Sequence, residues 1–245
     1  MLISIRIVWL LVTVIAALAF LFLAPPIHQD QRYHLFADQR TILGIANFWN
    51  VVSNLPFAVV GILGLRAFRD GVSRLMFTGV LLTAFGSAYY HYRPDDATLV
   101  WDRLPMTLVF MPLLAIVLDR WIGPVSNTRG NQYRLAGLVL FGIGSVFWWQ
   151  ATDDLRPYVI AQFGPVLVLI PAFLTDKRIR ALWPVVAWYA LAKVAETFDN
   201  QIYSALGLSG HTLKHLAGAA ATFWIFRWRT ADPKIAMPVA DTMSY

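Results

Sequence analysis

Residues 5–24 read IRIVWLLVTVIAALAFLFLA, a stretch whose only charge is Arg6, next to its start. A helix needs about 20 mostly apolar residues to cross a hydrocarbon layer about 30 Å thick, so this segment has the length of one membrane span. Comparable runs recur at 47–66, 74–91, 103–119, 132–150, 157–174, 182–198 and 211–228. The chain of 245 residues is 58% hydrophobic and 14% charged, against roughly a quarter charged in soluble domains. Inside lipid every backbone amide must find its partner within its own segment, so long apolar runs become helices. The pattern predicts an all-α polytopic membrane bundle of eight helices.

Only 25–46, 120–131 and 199–210 make connections longer than about ten residues, too little chain for a second core outside the bilayer. The chain therefore reads as an additional N-terminal helix at 1–24, an outer loop at 25–46, a seven-helix domain at 47–228 and a tail at 229–245. The first run also has the marks of a secretory signal, since Arg6 precedes it and Ala17-Leu18-Ala19 resembles a cleavage site. It stays apolar to Ala24, longer than a usual signal core. On either reading Pro25 onward emerges outside.

The net charge of +6 does not describe a nucleic-acid surface, because the basic residues form no aromatic-studded patch. They alternate by loop. Thirteen of the twenty Lys and Arg fall on one side: Arg6; Arg66, Arg69 and Arg74; Arg120, Arg129 and Arg134; Lys177, Arg178 and Arg180; Arg227, Arg229 and Lys234. By the positive-inside rule both termini are cytoplasmic, and 25–46, 92–102, 151–156 and 199–210 face outward.

Polar residues inside spans are costly and mark functional layers. Asn47, Asn50 and Asn54 form one stripe near the outer end of the second helix. Ser87 and His91 lie one turn apart at the end of the third, and Asp102 opens the fourth. Lys193, Glu196 and Asp199 end the seventh, and His211, Lys214 and His215 begin the eighth. The inner halves of these helices are almost wholly apolar. The expected shape is a cup, open or nearly open to the outer side, rather than a transport path.

Structural readings stand beside these: the asparagines as interhelical hydrogen-bond partners, Lys193 with Glu196 as an ion pair, Lys214 snorkelling to the interface, and His28 and His34 solvated in the outer loop. His211 and His215, at i and i+4, reach one face of a helix at a spacing that lets both bind one cation. His91 arrives at the same depth from another helix. With no cysteine in the chain, any metal must use His, Asp or Glu. Three neutral imidazoles and an open position suit catalytic zinc, which lowers the pKa of its water towards about 7. Asp102 is placed to accept a proton from that water or to orient it. Ser87 is placed to hydrogen-bond the water or a developing oxyanion.

The run IANFWNVVSNL (45–55), SAYYH (87–91), WDRLPM (101–106), FDN (198–200) and HTLKH (211–215) together resemble, in order and spacing, the alkaline ceramidases. These belong to a superfamily of seven-helix membrane hydrolases that includes the adiponectin and progestin receptors. The resemblance runs over about 45–228 and leaves the first helix as an addition. It implies a zinc site of Ser87, His91, Asp102, His211 and His215, and cleavage of a ceramide amide into a sphingoid base and a fatty acid. The eukaryotic alkaline ceramidases carry an acidic calcium-binding segment before their first common helix, with a glutamate directly before FWN. Here that position is Asn47, and Asp30 and Asp38 do not reproduce the cluster, so calcium is left in doubt.

The reading is a zinc-dependent hydrolase of ceramide or a related N-acyl lipid, with Asn50, Asn54, Glu196 and Asp199 as a supporting polar layer. The extra helix, the changed calcium segment and the lack of an N-x-[ST] sequon point to a bacterial inner membrane. A receptor of the adiponectin-receptor type with a structural zinc is the rival. A metal carrier is disfavoured by the ligand-free inner halves.

Overall fold

The computed structural model describes residues 4–124 and 128–232. Its helices are α1 (Ile5–Leu23), α2 (Phe48–Val52), α3 (Leu55–Ala67), α4 (Gly71–Tyr92), α5 (Asp96–Trp121), α6 (Thr128–Thr152), α7 (Arg156–Thr175), α8 (Lys177–Arg180), α9 (Trp183–Thr197), α10 (Asp199–Leu206) and α11 (Gly210–Thr230). No strand occurs among the described residues, as expected of an all-α membrane bundle.

Local chemistry sets the helix starts. Asp70 caps α4 by accepting from the Ser73 amide at 2.9 Å. Asp95 and Thr98 form a reciprocal capping box at the head of α5. Ser209 caps α11, its hydroxyl accepting from the amides of His211 at 3.0 Å and Thr212 at 3.3 Å. Pro56, Pro157 and Pro184 sit in the first turns of α3, α7 and α9, where a missing amide hydrogen costs nothing.

Among the described residues, six segments are long and apolar enough to cross a membrane: α1, Phe48–Ala67, α4, α5, Arg129–Thr152 and α7. The seventh and eighth expected spans also fold as helices of the bundle but differ in character. α9 has 15 residues, about 23 Å at 1.5 Å per residue, before the chain bends at Phe198 into α10. α11 has 21 residues, enough to span, but carries His211, Lys214, His215, Arg227 and Arg229.

The second expected helix is interrupted between α2 and α3. Pro56 offers no amide hydrogen to the Val52 carbonyl, the backbone amide of Asn54 turns to the Val51 carbonyl at 3.3 Å, and side chains cover the Asn50 carbonyl left without that partner. The Asn50 carbonyl receives the Asn54 amide at 2.8 Å and the Ser53 hydroxyl at 3.1 Å.

The termini of the bundle gather at one end. Arg6 donates to the Trp121 carbonyl at 2.6 Å, Trp228 donates to the Arg178 carbonyl at 3.0 Å, Arg229 reaches Ser73 at 2.8 Å, and Arg120 pairs with Asp232. The tail beyond residue 232, including Lys234, lies outside the described residues. The main apolar core, around Phe68, Met76, Phe77, Trp121 and Leu182, fills this half. A smaller cluster of Phe36, Tyr90, Leu99, Val146 and Trp149 fills the other. Large apolar side chains such as Val59, Leu140, Leu167 and Leu191 point outward, as lipid-facing positions do. α4 and α5 approach closely at Gly86, where an added Cβ would run into the Trp101 carbonyl. That contact seats Ser87 and His91 beside the helix that carries Asp102.

Candidate metal centre and its cavity

The end of the bundle opposite the termini brings His91 from α4 together with His211 and His215 from α11. The ring centroids lie 4.6 Å apart for His91 and His215, 4.7 Å for His91 and His211, and 5.0 Å for His211 and His215. One ring nitrogen from each lies within 4.8 Å of the other two. Among the described residues no other group of three His, Asp or Glu side chains converges in this way.

The three rings are buried, His91 completely. Both ring nitrogens of His91 lack a hydrogen-bond partner. A buried donor or acceptor left unpaired costs about 1–3 kcal/mol, and a cation bound through one of the two nitrogens offsets that part of an otherwise expensive arrangement. Three nitrogen donors with no carboxylate in the group suit zinc, whose bonds to imidazole are about 2.0–2.1 Å. The residues fit the metal that the sequence pattern implies.

The tautomer of His215 follows from its neighbour. Ser53 lies 2.7 Å from His215 Nδ1, and its single hydroxyl proton goes to the Asn50 carbonyl at 3.1 Å. The serine oxygen therefore accepts the Nδ1 proton, and Nε2 keeps its lone pair for the cluster. Ser53 was not singled out from the sequence. Its signal is the interrupted helix, where VVSN precedes a proline at i+3 and turns a serine inward.

Asn50 and Asn54 hold this turn in place. Asn50 accepts from Thr212 at 2.8 Å, tying α2 to the start of α11. Asn54 donates back to the Asn50 carbonyl, and its own oxygen is buried without a partner. Asn47, in the left-handed conformation, donates to the His91 carbonyl at 2.9 Å. Asp199 accepts from the Ser209 hydroxyl at 2.7 Å, the His211 amide at 3.0 Å and the Ala37 amide at 2.9 Å. With its oxygens committed to the cap of α11 and to the outer loop, Asp199 fixes position rather than facing the histidines.

The site is not the open cup expected from the polar layer. The loop at 25–46 folds over it, and the buried ring of Phe36 stands 4.8 Å from His91 and 4.7 Å from His211, centroid to centroid. His34 is not solvated either: its nitrogens meet Tyr90 at 2.9 Å and Asp96 at 3.1 Å. His28 is exposed and pairs with Asp153 at 3.0 Å. Asp30 and Asp38 are each engaged by the arginine two residues on, Arg32 and Arg40, and Arg40 holds the Asp38 carboxyl below the usual carboxylate range. Burial, reinforced by Glu196, pushes the Tyr33 phenol well up, so Tyr33 stays a neutral donor to Glu196 at 3.1 Å.

Beneath the histidines lies a cavity with about 1110 Å³ of empty space, part of it open to the outside. His215, Ser87, Asp102 and Lys214 line its head, and its walls run down through Val109, Leu113, Leu169 and Ile225. α7 and α9 both contribute to its wall and are joined there by Gln162 donating to the Tyr189 hydroxyl at 3.1 Å. Asp102 and Ser87 are both buried and lie side by side at this head.

Lys214 does not snorkel. Its ammonium turns inward to Glu196 at 2.6 Å and lies 3.3 Å from both the Tyr33 hydroxyl and His211 Nε2. Glu196, paired also with Lys193 at 2.8 Å, draws it in. An unpaired carboxylate at that depth is costly, and two lysines on different helices compensate it.

A bundle of this shape, with a buried three-histidine group at the head of an apolar cavity, defines a multi-pass integral membrane protein. The family model described as Ceramidase matches residues 40–180, and the chain belongs to the ceramidase family. Ceramidases hydrolyse the amide of ceramide, so the class is an amide hydrolase of lipids. The match takes in His91, Ser87 and Asp102 and ends before α9, so His211 and His215 join the site through the fold. No curated protein matches the chain.

Proposed function

We propose that the chain is a zinc-dependent hydrolase that cuts the amide of ceramide or a related N-acyl lipid into an amino lipid and a fatty acid. The observation that carries this is His91: a completely buried imidazole with both nitrogens unpartnered, facing two further imidazoles at the head of an apolar cavity. His91, His211 and His215 hold the metal. Zinc there supplies a Lewis acid for the amide carbonyl and a nucleophilic water near neutral pH.

The chain's own residues do the rest. Asp102, at the head of the cavity, takes a proton from the attacking water and delivers it to the leaving nitrogen. Ser87, beside it, donates to the carbonyl oxygen as charge develops there. Ser53 fixes the His215 ring, and Asn50, Asn54 and Asp199 fix the turn and the helix start that position it. The walls from Val109 to Ile225 take the acyl chain, and Phe36 shields the reacting end from outside water. Calcium has no part in this scheme. The seven helices from residue 47 form the catalytic domain, the helix before residue 25 is an addition, both termini are cytoplasmic, and the site faces outward in a bacterial inner membrane.

The competing reading, a receptor in which zinc is structural, predicts no turnover. Mass spectrometry of a ceramide panel incubated with purified protein separates the two. Fatty acid and amine should appear with zinc, vanish on chelation and return on reloading. Absence of product from every N-acyl lipid while zinc is bound refutes the hydrolase.

A further inference from the structure

We propose that Lys214 is a substrate-contacting residue of this hydrolase, its ammonium receiving the acyl carbonyl oxygen as it gains charge and then the carboxylate of the released fatty acid. The inference rests on the hydrolase reading above. His211, Lys214 and His215 occupy i, i+3 and i+4 of α11 and so share a face. Lys214 lines the head of the cavity with His215, Ser87 and Asp102, and its nitrogen is 3.3 Å from His211 Nε2.

The hydrogen-bond inventory leaves a place for the substrate. An ammonium has three donors. Glu196 takes one at 2.6 Å and the Tyr33 hydroxyl a second at 3.3 Å, while the third points to His211. Once the imidazole lone pairs are given to a metal, that third donor has no protein acceptor. A buried cation beside a metal centre is also repelled by it unless an anion lies between them. Glu196 does not line the cavity; Asp102 does, but in the proposed reaction it is neutralised by the proton of the attacking water just as the carbonyl oxygen gains charge, so the reaction's own anion is the one left facing the ammonium.

Hydrolysis joins the oxygen of water to the carbonyl carbon and breaks the C–N bond. Both water protons end on the nitrogen, giving a carboxylate and an ammonium. The carboxylate forms at the head of the cavity, within reach of Lys214, with its chain already lying along the apolar wall.

The alternative is that Lys214 only compensates the buried charge of Glu196. Metal-free protein distinguishes them without any turnover, by equilibrium binding of oleic acid against methyl oleate, the charged carboxylate displacing the long 3.3 Å contact between Lys214 and the neutral His211 ring. The wild type should prefer the acid by at least about tenfold, the size of a charge-assisted hydrogen bond, and Lys214→Met should abolish the preference. The double variant Lys214→Met/Glu196→Gln carries neither charge and leaves nothing buried and uncompensated. If Lys214 contacts the substrate, the double variant lacks the acid preference and, when zinc-loaded, turns over about 10²-fold or more slowly than wild type. Equal binding of acid and ester by the wild type, or recovery of preference and turnover in the double variant, overturns the proposal. A protein inactive on all amides that still selects the acid would instead count against the hydrolase reading alone.

Discussion

Replacing Ser53 by alanine removes one oxygen atom that touches no substrate, yet it should weaken the metal site. Ser53 is buried, with 6% of its surface exposed, and accepts the His215 Nδ1 proton at 2.7 Å. Without that oxygen the proton is a buried unpaired donor, which costs about 1–3 kcal/mol. The ring escapes part of this cost by moving its proton to Nε2, the nitrogen that should bind metal. Metal binding forces the proton back to the unpaired Nδ1, so affinity loses whatever the metal-free tautomer had recovered, up to about 1–3 kcal/mol, and since 1.4 kcal/mol is a factor of ten, zinc affinity should fall about 10- to 100-fold, as for other groups that orient a ligating histidine. Competition with a chelator of known affinity measures it on purified protein, and Ser53→Thr, which retains the hydroxyl, should recover most of the loss. Wild-type affinity in Ser53→Ala would refute the tautomer argument and with it the role of the interrupted helix.

Asp102→Asn should keep zinc while slowing amide hydrolysis at least about a hundredfold, and Ser87→Ala should cost about 10²- to 10³-fold, both read by product formation at saturating zinc. Gly86→Ala should lower thermal stability by more than a surface change, because its methyl group meets the Trp101 carbonyl and pushes α4 from α5; the melting temperature in detergent reads this. A reporter fused after Tyr245 should score cytoplasmic and one inserted at Asp95 should score outside, following the split of basic residues. Asp154 is held well below the usual carboxylate range by Arg156, whose guanidinium also binds the carbonyls of Leu21 and Ala24. A depressed pKa gives stability that is present above the unfolded value, about 3.9, and lost as pH falls through the folded one. Asp154→Asn should therefore melt below wild type at pH 7, and the difference should shrink as pH falls well below 4.

The helices were legible because lipid imposes one rule on every span. Long apolar runs such as 5–24 and 157–174 gave the order of the long helices, and the shared depth of His91, His211 and His215 followed from counting residues along them. Periodicity does not reach features set by contacts between distant segments. The break at Ser53 and Asn54 depends on Asn50 bonding across to Thr212, so the stretch reads as one continuous helix in sequence. The loop at 25–46 has no repeating pattern, and its fold over the histidines rests on Phe36 and on the Ala37 amide meeting Asp199. Lys214 has the sequence context of an interfacial lysine, and only the carboxylate of Glu196, brought close from α9, turns it inward. α9 matches the expected run at 182–198 to within one residue at each end, whereas α10 (Asp199–Leu206) lies in a stretch that reads in sequence as a connection.

The account stands on three imidazoles sharing one metal. Metal analysis of purified wild type and of the His91→Ala, His211→Ala, His215→Ala and Lys214→Ala variants tests this directly. A single zinc per chain is predicted for the wild type and for Lys214→Ala, with each histidine variant well below that. Full zinc retained by two of the three histidine variants would contradict it.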